Sequence, residues 1–301
     1  LLAGAGAALI GVIFYIVPEA WTVQALNALA RFDYPGGYGA LRYIEDNPDN
    51  PMRAIGTAID PNTFGGMLIL FSGLTAPQLF ARRPLLPRWL IALIFGLNAV
   101  CLYLTYSRSA MIGLAVALFI IALARYRRLL LLGLLGLALL LFLPQTQAYV
   151  TRFAEGIQGQ DLATQMRLGE YRDALRLIAR YPWFGVGFSS APSIELYIGV
   201  SNVYLLIAEE MGLVGLASFL LTMAAFFGLF TRSLRAGVRD DRRLALLLGL
   251  GGALAGVLVS GLLDHYLFNL AYPHMASLFW TYLGLAVAVI LVEREQWDLG
   301  L

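Results

Sequence analysis

The chain has 301 residues, of which 59% are hydrophobic and only 13% charged, with a mean hydropathy of +0.74. A water-soluble domain carries about 25% charge and about half apolar residues, so a soluble single-domain protein is excluded. The formal charge of +2, from 21 basic and 19 acidic side chains, leaves no polyanion-binding excess and gives no reason to expect a nucleic-acid partner. Every basic residue is Arg, which removes lysine Schiff-base chemistry and a phosphate-loop lysine. The one cysteine, Cys101, lies in an apolar run. A disulfide framework or a cysteine metal site is therefore not possible, and Cys101 reads as a small core or lipid-facing residue. The chain opens Leu1-Leu2-Ala3 without Met, inside a hydrophobic stretch and with no basic segment of a signal peptide before it, so a longer N-terminus is expected.

A helix needs about 20 apolar residues to cross the bilayer core. Eight candidate spans follow in chain order: 1–17, 62–80, 89–106, 109–124, 129–143, 202–230, 244–263 and 276–292. The expected fold class is an all-α polytopic membrane protein, one membrane domain over residues 1–301, with residues 201–292 supplying the C-terminal transmembrane helices. The short connections 81–88, 125–128 and 231–243 together hold 11 Arg and 2 acids, and alternation of the spans puts all three on one side. The positive-inside rule makes that side cytoplasmic. The long loops 18–61 (3 Arg, 6 acids) and 144–200 (5 Arg, 5 acids) are then exterior. Within the second, residues 162–181 carry Leu162, Met166, Leu175 and Ile178 near helical spacing, stopped by Tyr181-Pro182. Arg172, Arg176 and Arg180 recur every four residues and share a face. That segment reads as an amphipathic helix at the outer interface, its Arg face either solvated or turned to an anionic head group. Residues 129–143 read as a lipid-facing span.

Four groups of polar residues could carry chemistry. Arg108, in Thr105-Tyr106-Ser107-Arg108-Ser109, sits in a turn of about two residues between two spans, so it must lie at the membrane boundary. It can snorkel to head groups or hold phosphate oxygens, which guanidinium binds bidentately. Asp60 and Asn62 can cap the helix that follows them, which leaves Arg53 unexplained. Glu209 and Glu210 fall eight or nine residues beyond Ser201, about 12–14 Å into a straight span. Acids at such depth form structural ion pairs, or catalyse or carry protons. Asp264 and His265 with His274 occupy the last exterior loop, where an Asp beside a His can form a general base or be an unrelated surface pair. No two-His metal spacing and no carboxylate cluster is present in the pattern, so no metal and no cofactor is expected.

Together these residues form a pattern. Ser107-Arg108-Ser109 closes a span; Arg167-Leu168-Gly169-Glu170-Tyr171-Arg172-Asp173-Ala174-Leu175 and Pro182-Trp183-Phe184-Gly185-Val186-Gly187 follow outside; Ser201-Asn202-Val203-Tyr204-Leu205 leads into Glu210-Met211-Gly212-Leu213-Val214-Gly215-Leu216. The set, with Arg53, Gly56 and Pro61-Asn62 upstream, resembles the O-antigen ligase/polymerase superfamily across residues 50–230. The resemblance implies a multi-span, GT-C-like glycosyltransferase. Such proteins move a glycan from an undecaprenyl-diphosphate carrier to a glycan or lipid acceptor at the outer face of the bacterial cytoplasmic membrane. No metal would be needed, because arginines neutralise the diphosphate. Arg108 and Arg167 match the family's diphosphate-binding arginines, and Arg172 is a weaker match in the same exterior helix. Arg53 joins them as a further substrate-binding candidate.

One departure bears on catalysis. The family carries a His immediately before the Asn, understood to activate the acceptor hydroxyl, where this chain has Ser201 before Asn202. A serine cannot take that proton unaided. Glu209, Glu210 and His265 are the candidate substitutes; otherwise the protein binds lipid without transferring sugar, as a structural subunit of a membrane assembly. A solute transporter is the third reading, against which the sequence offers no inverted-repeat pair.

Overall fold

The computed structural model describes the chain apart from residues 33, 143–145, 148–149, 152–153, 156–157, 160–161, 189–199, 239, 270–271 and 299–301. Among the described residues the chain is helical, and its one extended pairing is an isolated bridge between Tyr43 and Met52. The α-helices are α1 (Leu2–Ile16), α2 (Glu19–Asn27), α3 (Pro61–Thr75), α4 (Arg88–Leu104), α5 (Arg108–Ala124), α6 (Arg128–Phe142), α7 (Leu162–Arg180), α8 (Val203–Ala236), α9 (Asp241–Ser260) and α10 (Pro273–Asp298). Side-chain caps fix several of the starts. Asp60 accepts from the amides of Asn62 and Thr63 at 2.7 and 3.1 Å. Asn202 accepts from Tyr204 and Leu205 at 2.9 and 3.0 Å, and Ser107 accepts from Ala110 at 3.4 Å. Each satisfies amides that a helix start leaves open.

Helices α3 and α9 are the most buried among the described residues, and α9 packs on α3 and α5 through small residues. A Cβ placed on Gly113 of α5 would lie 2.7 Å from the Gly256 carbonyl oxygen of α9, and one on Gly73 of α3 would lie 2.6 Å from Ala253 Cβ. Apolar side chains gain nothing by leaving lipid for each other, so close backbone approach and dispersion hold such helices together. The rest of the bundle presents apolar groups outward: Leu9 and Ile13 on α1, Leu93 and Val100 on α4, Leu131 and Leu134 on α6, Leu220 and Leu221 on α8, Leu285 on α10. Three helices are long and apolar enough to cross a membrane: α8, α9 and the stretch Pro273–Val292 of α10. Shorter apolar helices are α1, α4, α5 and Arg128–Leu139 of α6. The protein is a membrane protein. Each of the eight segments expected from the sequence falls on a helix, α3 included, although only three reach full crossing length.

The ends of the bundle are distinct. At one, the Arg82 amide donates to Asp241 Oδ2 at 2.6 Å, and Asp241 also acts on Tyr126, which brings the three Arg-rich connections together. At the other, α2 and the turns after it cover a small core of Val23, Leu26, Ala40, Leu41 and Ile55.

Helix α8 differs from the uninterrupted span expected over 202–230. Its 34 residues would measure about 51 Å if straight, against about 30 Å of hydrocarbon. It breaks at Gly212 (φ 69°, ψ −174°), a conformation open essentially to glycine alone. The rings of Tyr204 and Phe219 lie 6.3 Å apart, where fifteen residues of straight helix would separate them by about 22 Å. The chain therefore turns sharply at Gly212. Glu209 and Glu210 lie just before the break, at the end of the first segment.

Replacing Gly113 by Val should separate α5 from α9 and cost about 1–3 kcal/mol, as overpacking does, visible as a lowered melting temperature in detergent. Gly133→Val on α6, where an added Cβ meets nothing within 4 Å, should leave the melting temperature unchanged.

Candidate functional site

The segment between α9 and α10 gathers the ends of four other helices. Its Gly261 carbonyl accepts from the Val203 amide at 2.8 Å. The Leu262 carbonyl accepts from Asn202 Nδ2 at 2.9 Å and from the Tyr171 hydroxyl at 3.2 Å. Asp264 Oδ2 accepts from the Ser109 hydroxyl at 3.1 Å, while Oδ1 accepts from the His265 amide at 3.0 Å. Tyr266 bonds the Asn62 side chain. So α3, α5, α7 and α8 all meet residues 261–266.

Around this segment stand the arginines. Arg108 is the first residue of α5, half-buried beside Ser107 and Ser109, whose hydroxyls lie 3.1 Å apart. Arg53 donates from Nε to the Thr105 carbonyl at 2.8 Å and from Nη2 to Asn62 Oδ1 at 2.6 Å, which fixes it between the starts of α3 and α5. Arg167 on α7 acts electrostatically on Asp264, His265 and Tyr171. Arg172, one turn further on, is exposed. Two non-glycine residues with positive φ immediately precede the caps of α3 and α5: Ile59 (68°) and Tyr106 (53°). Such backbone costs of order 1–3 kcal/mol per residue and persists where the surroundings over-determine it.

Asp264 is 6% exposed. Burial raises its carboxyl to about 7, against the lowering influence of Arg167 and of its two hydrogen bonds, with Asp60 adding to the rise. Burial also pushes His265 below the ordinary histidine range, so its imidazole is neutral at pH 7. Its Nδ1 is buried without a hydrogen-bond partner, 3.7 Å from Asp264 Oδ1. Asp264 and His265, open to a reading as unrelated surface groups, are thus a buried pair at the meeting point of the helices. A neutral imidazole beside a carboxyl that titrates near 7 can accept a proton and share it.

Ser201 and Asn202 are held rigidly by residues to which the sequence gave no role. Glu170 Oε2 accepts from the Ser201 amide at 2.9 Å, and the Tyr171 hydroxyl donates to the Ser201 carbonyl at 3.1 Å. Burial holds the Tyr171 phenol above its ordinary range, so it stays a donor. The available signal was their place in the Arg167–Leu175 stretch, one turn from the arginine.

Glu209 and Glu210 lie elsewhere. Their backbone carbonyls, released by the break at Gly212, accept from the amides of Val186 and Gly187 at 2.8 and 2.9 Å. In return the amides of Leu213 and Val214 donate to the carbonyls of Pro182 and Trp183 at 2.7 and 3.3 Å. Gly185 and Gly212 face each other's backbones so closely that a Cβ on either would overlap the opposite main chain. The two motifs are one interlocked unit. The charged groups acting on Glu209 and Glu210 are Asp173 and one another, whereas Arg167, Asp60 and Glu170 act on His265. Of the three candidate bases, the structure brings only His265 together with the arginines.

This geometry defines a class: a helical membrane protein whose bundle end sets arginines around a buried carboxyl–imidazole pair. Residues 91–220 match the family described as O-antigen ligase. That segment includes Arg108, Arg167, Arg172, Ser201, Asn202, Glu209 and Glu210; Arg53, Asp264 and His265 lie outside it. No curated protein matches the chain.

Two outcomes follow. Because the folded state raises the Asp264 carboxyl to about 7, it binds a proton more tightly than the unfolded chain does. That contribution is complete below about pH 4 and is lost as pH rises to 7. Asp264→Asn should therefore gain stability relative to the native chain between pH 4.5 and 7.5, by up to about 4 kcal/mol, read from melting curves at both pH values. Gly212→Ala should lower the melting temperature by the equivalent of about 1–3 kcal/mol and raise proteolytic cleavage between α7 and α8.

Proposed function

We propose that the protein is a multi-pass glycosyltransferase of the bacterial cytoplasmic membrane, with eight crossings and the loops 18–61 and 144–200 outside. It moves a glycan from an undecaprenyl-diphosphate carrier to a glycan or lipid acceptor, without a metal. The observation that carries this reading is the Asp264–His265 pair on which Arg167 acts and which Ser109, next to Arg108, bonds, in a chain whose residues 91–220 match the family described as O-antigen ligase.

The acceptor hydroxyl attacks the anomeric carbon and passes its proton to His265, while the bond from that carbon to the diphosphate oxygen breaks. The leaving diphosphate keeps the electron pair, and Arg108 and Arg167 stabilise its charge. That interaction strengthens as the bond breaks, which is what accelerates a reaction. His265 takes the place of the histidine missing at Ser201, with Asn202 retained beside it; Arg172 contributes long-range attraction rather than contact. A subunit that keeps the lipid site but transfers no sugar is the second reading, favoured by Ser201 alone.

Arg108→Ala should lower transfer from a synthetic undecaprenyl-diphosphate oligosaccharide by about 10²–10³-fold, the scale of removing one oxyanion donor, at an unchanged melting temperature and in the presence of EDTA. His265→Ala should cost at least as much, whereas Arg172→Ala should cost less than tenfold. Full activity in folded Arg108→Ala would sink the assignment. Arg108-dependent binding of the carrier lipid without transfer would support the subunit reading instead.

A further inference from the structure

The exterior turns after α2 enclose a cavity of about 620 Å³, lined among others by Tyr38, Arg42, Tyr43, Asp46, Asp60 and Asn62. It lies within the range of small-molecule sites. Its floor is shared with the arginine site, because Arg53, Asp60 and Asn62 line both. We propose that this cavity is a sugar-binding subsite, holding pyranose rings of the glycan next to the diphosphate; the proposal rests on the glycosyltransferase reading above.

Three features carry it. First, the lining has the chemistry of hydroxyl recognition: carboxylates and an amide oxygen that accept, guanidinium groups that donate, and Tyr38, 61% exposed, whose ring face suits the apolar face of a pyranose. The lining holds both Arg42 and Arg53 and both Asp46 and Asp60, a balance of charge that favours a neutral polyhydroxyl ligand over an isolated anion. Second, the wall is built rather than loose. The Arg53 amide donates to the Arg42 carbonyl at 2.7 Å, Tyr43 bridges Met52, and Asn50 Nδ2 donates to the Ile44 carbonyl at 3.0 Å. The Asp49 amide donates to Asn47 Oδ1 at 3.0 Å, and Pro48 and Pro51 stiffen the same turn. Preorganisation of this kind removes the ordering cost of binding. Third, Glu45 and Asp46 are consecutive non-glycine residues with φ of 58° and 51°. A left-handed pair of this kind makes a tight turn, and Asp46 lines the cavity beside it.

The ring could belong to the carrier-linked donor or to the acceptor, and kinetics separate the two. Transfer should be measured with Tyr38→Ala and Asp46→Asn, both exposed positions whose melting temperatures check folding. The expected result is a KM at least tenfold higher for one substrate with kcat within twofold of native. A rise for the donor glycan assigns the ring to the donor, and a rise for the acceptor assigns it to the acceptor. Independently, saturation-transfer NMR of the full chain in nanodiscs, with oligosaccharide released by mild acid from the cell's own envelope polysaccharide, should show contact that both variants lose and Arg108→Ala keeps. If oligosaccharide contact or KM is unchanged in both variants, the subsite is wrong even where Arg108→Ala abolishes transfer. If the native chain transfers nothing but holds the oligosaccharide through Tyr38 and Asp46, the subsite stands and the transferase reading falls.

Discussion

A membrane helix can break only where the backbone groups it frees find new partners, since an unsatisfied amide or carbonyl away from water costs several kcal/mol. At Gly212 that constraint is met by residues 182–187, whose amides and carbonyls pair with those on both sides of the break. Much of the outer half of the molecule depends on this exchange. It seats the C-terminal end of α7 against α8, and the other contacts of α7 follow from that seat: Ala174 and Leu206 share a small core, and Glu170 and Tyr171 reach Ser201 and Leu262. Without the break, α8 would continue straight past this point and α7 would have no surface of matching hydrogen-bond pattern to lie on. The seat of α7, and with it the place of Arg167, thus depends on a glycine in a different helix.

The second constraint is electrostatic. The outer end of the bundle collects three helix starts, those of α3, α5 and α8, each with partial positive charge from its aligned amides. Arg53, Arg108 and Arg167 add full charges. An isolated carboxylate as buried as Asp264 would be costly; here Ser109, the His265 amide and the arginine field make it tolerable without forcing it fully ionised. That balance matters for chemistry at the site. A fully ionised Asp264 would cancel part of the positive field of the arginines, and it would also draw His265 toward its charged form, which cannot accept a proton.

Much of the scaffold was legible in the sequence because it is written in local rules. Arginine counts placed the short loops at one end, where Arg82 and Asp241 do meet. Tyr181-Pro182 ended α7 within a residue of its observed stop, and Asp60 and Asn202 are polar residues standing just before apolar runs, as caps do. What stayed hidden is non-local. Glycine within an apolar run reads equally as a tolerated helix residue, a packing contact or a break, and Gly212 becomes a break only against the backbone of residues 182–187, which is about thirty positions away. Asp264 and His265 looked like surface residues because loops generally lie at the surface, whereas this loop is roofed by α7.

Ser201 is the point where family pattern and local physics diverge, and the structure narrows what the divergence means. The backbone of Ser201 is gripped on both sides, by Glu170 at its amide and Tyr171 at its carbonyl, and Asn202 caps α8 while reaching Leu262. Two side chains of α7 thus hold the Ser201 main chain, and the Asn202 side chain ties the same turn to Leu262. The supports keep the first turn of α8 in register with residues 261–266, and so with the imidazole of His265. On the proposed reading the base comes from the neighbouring loop rather than from the helix start. Catalysis needs a proton acceptor of the right charge state within reach of the acceptor hydroxyl, not a particular position in the chain. The neutral imidazole with a buried, unpartnered Nδ1 beside Asp264 meets the first of those requirements, and the arginines gathered around the same segment set where the second must be met.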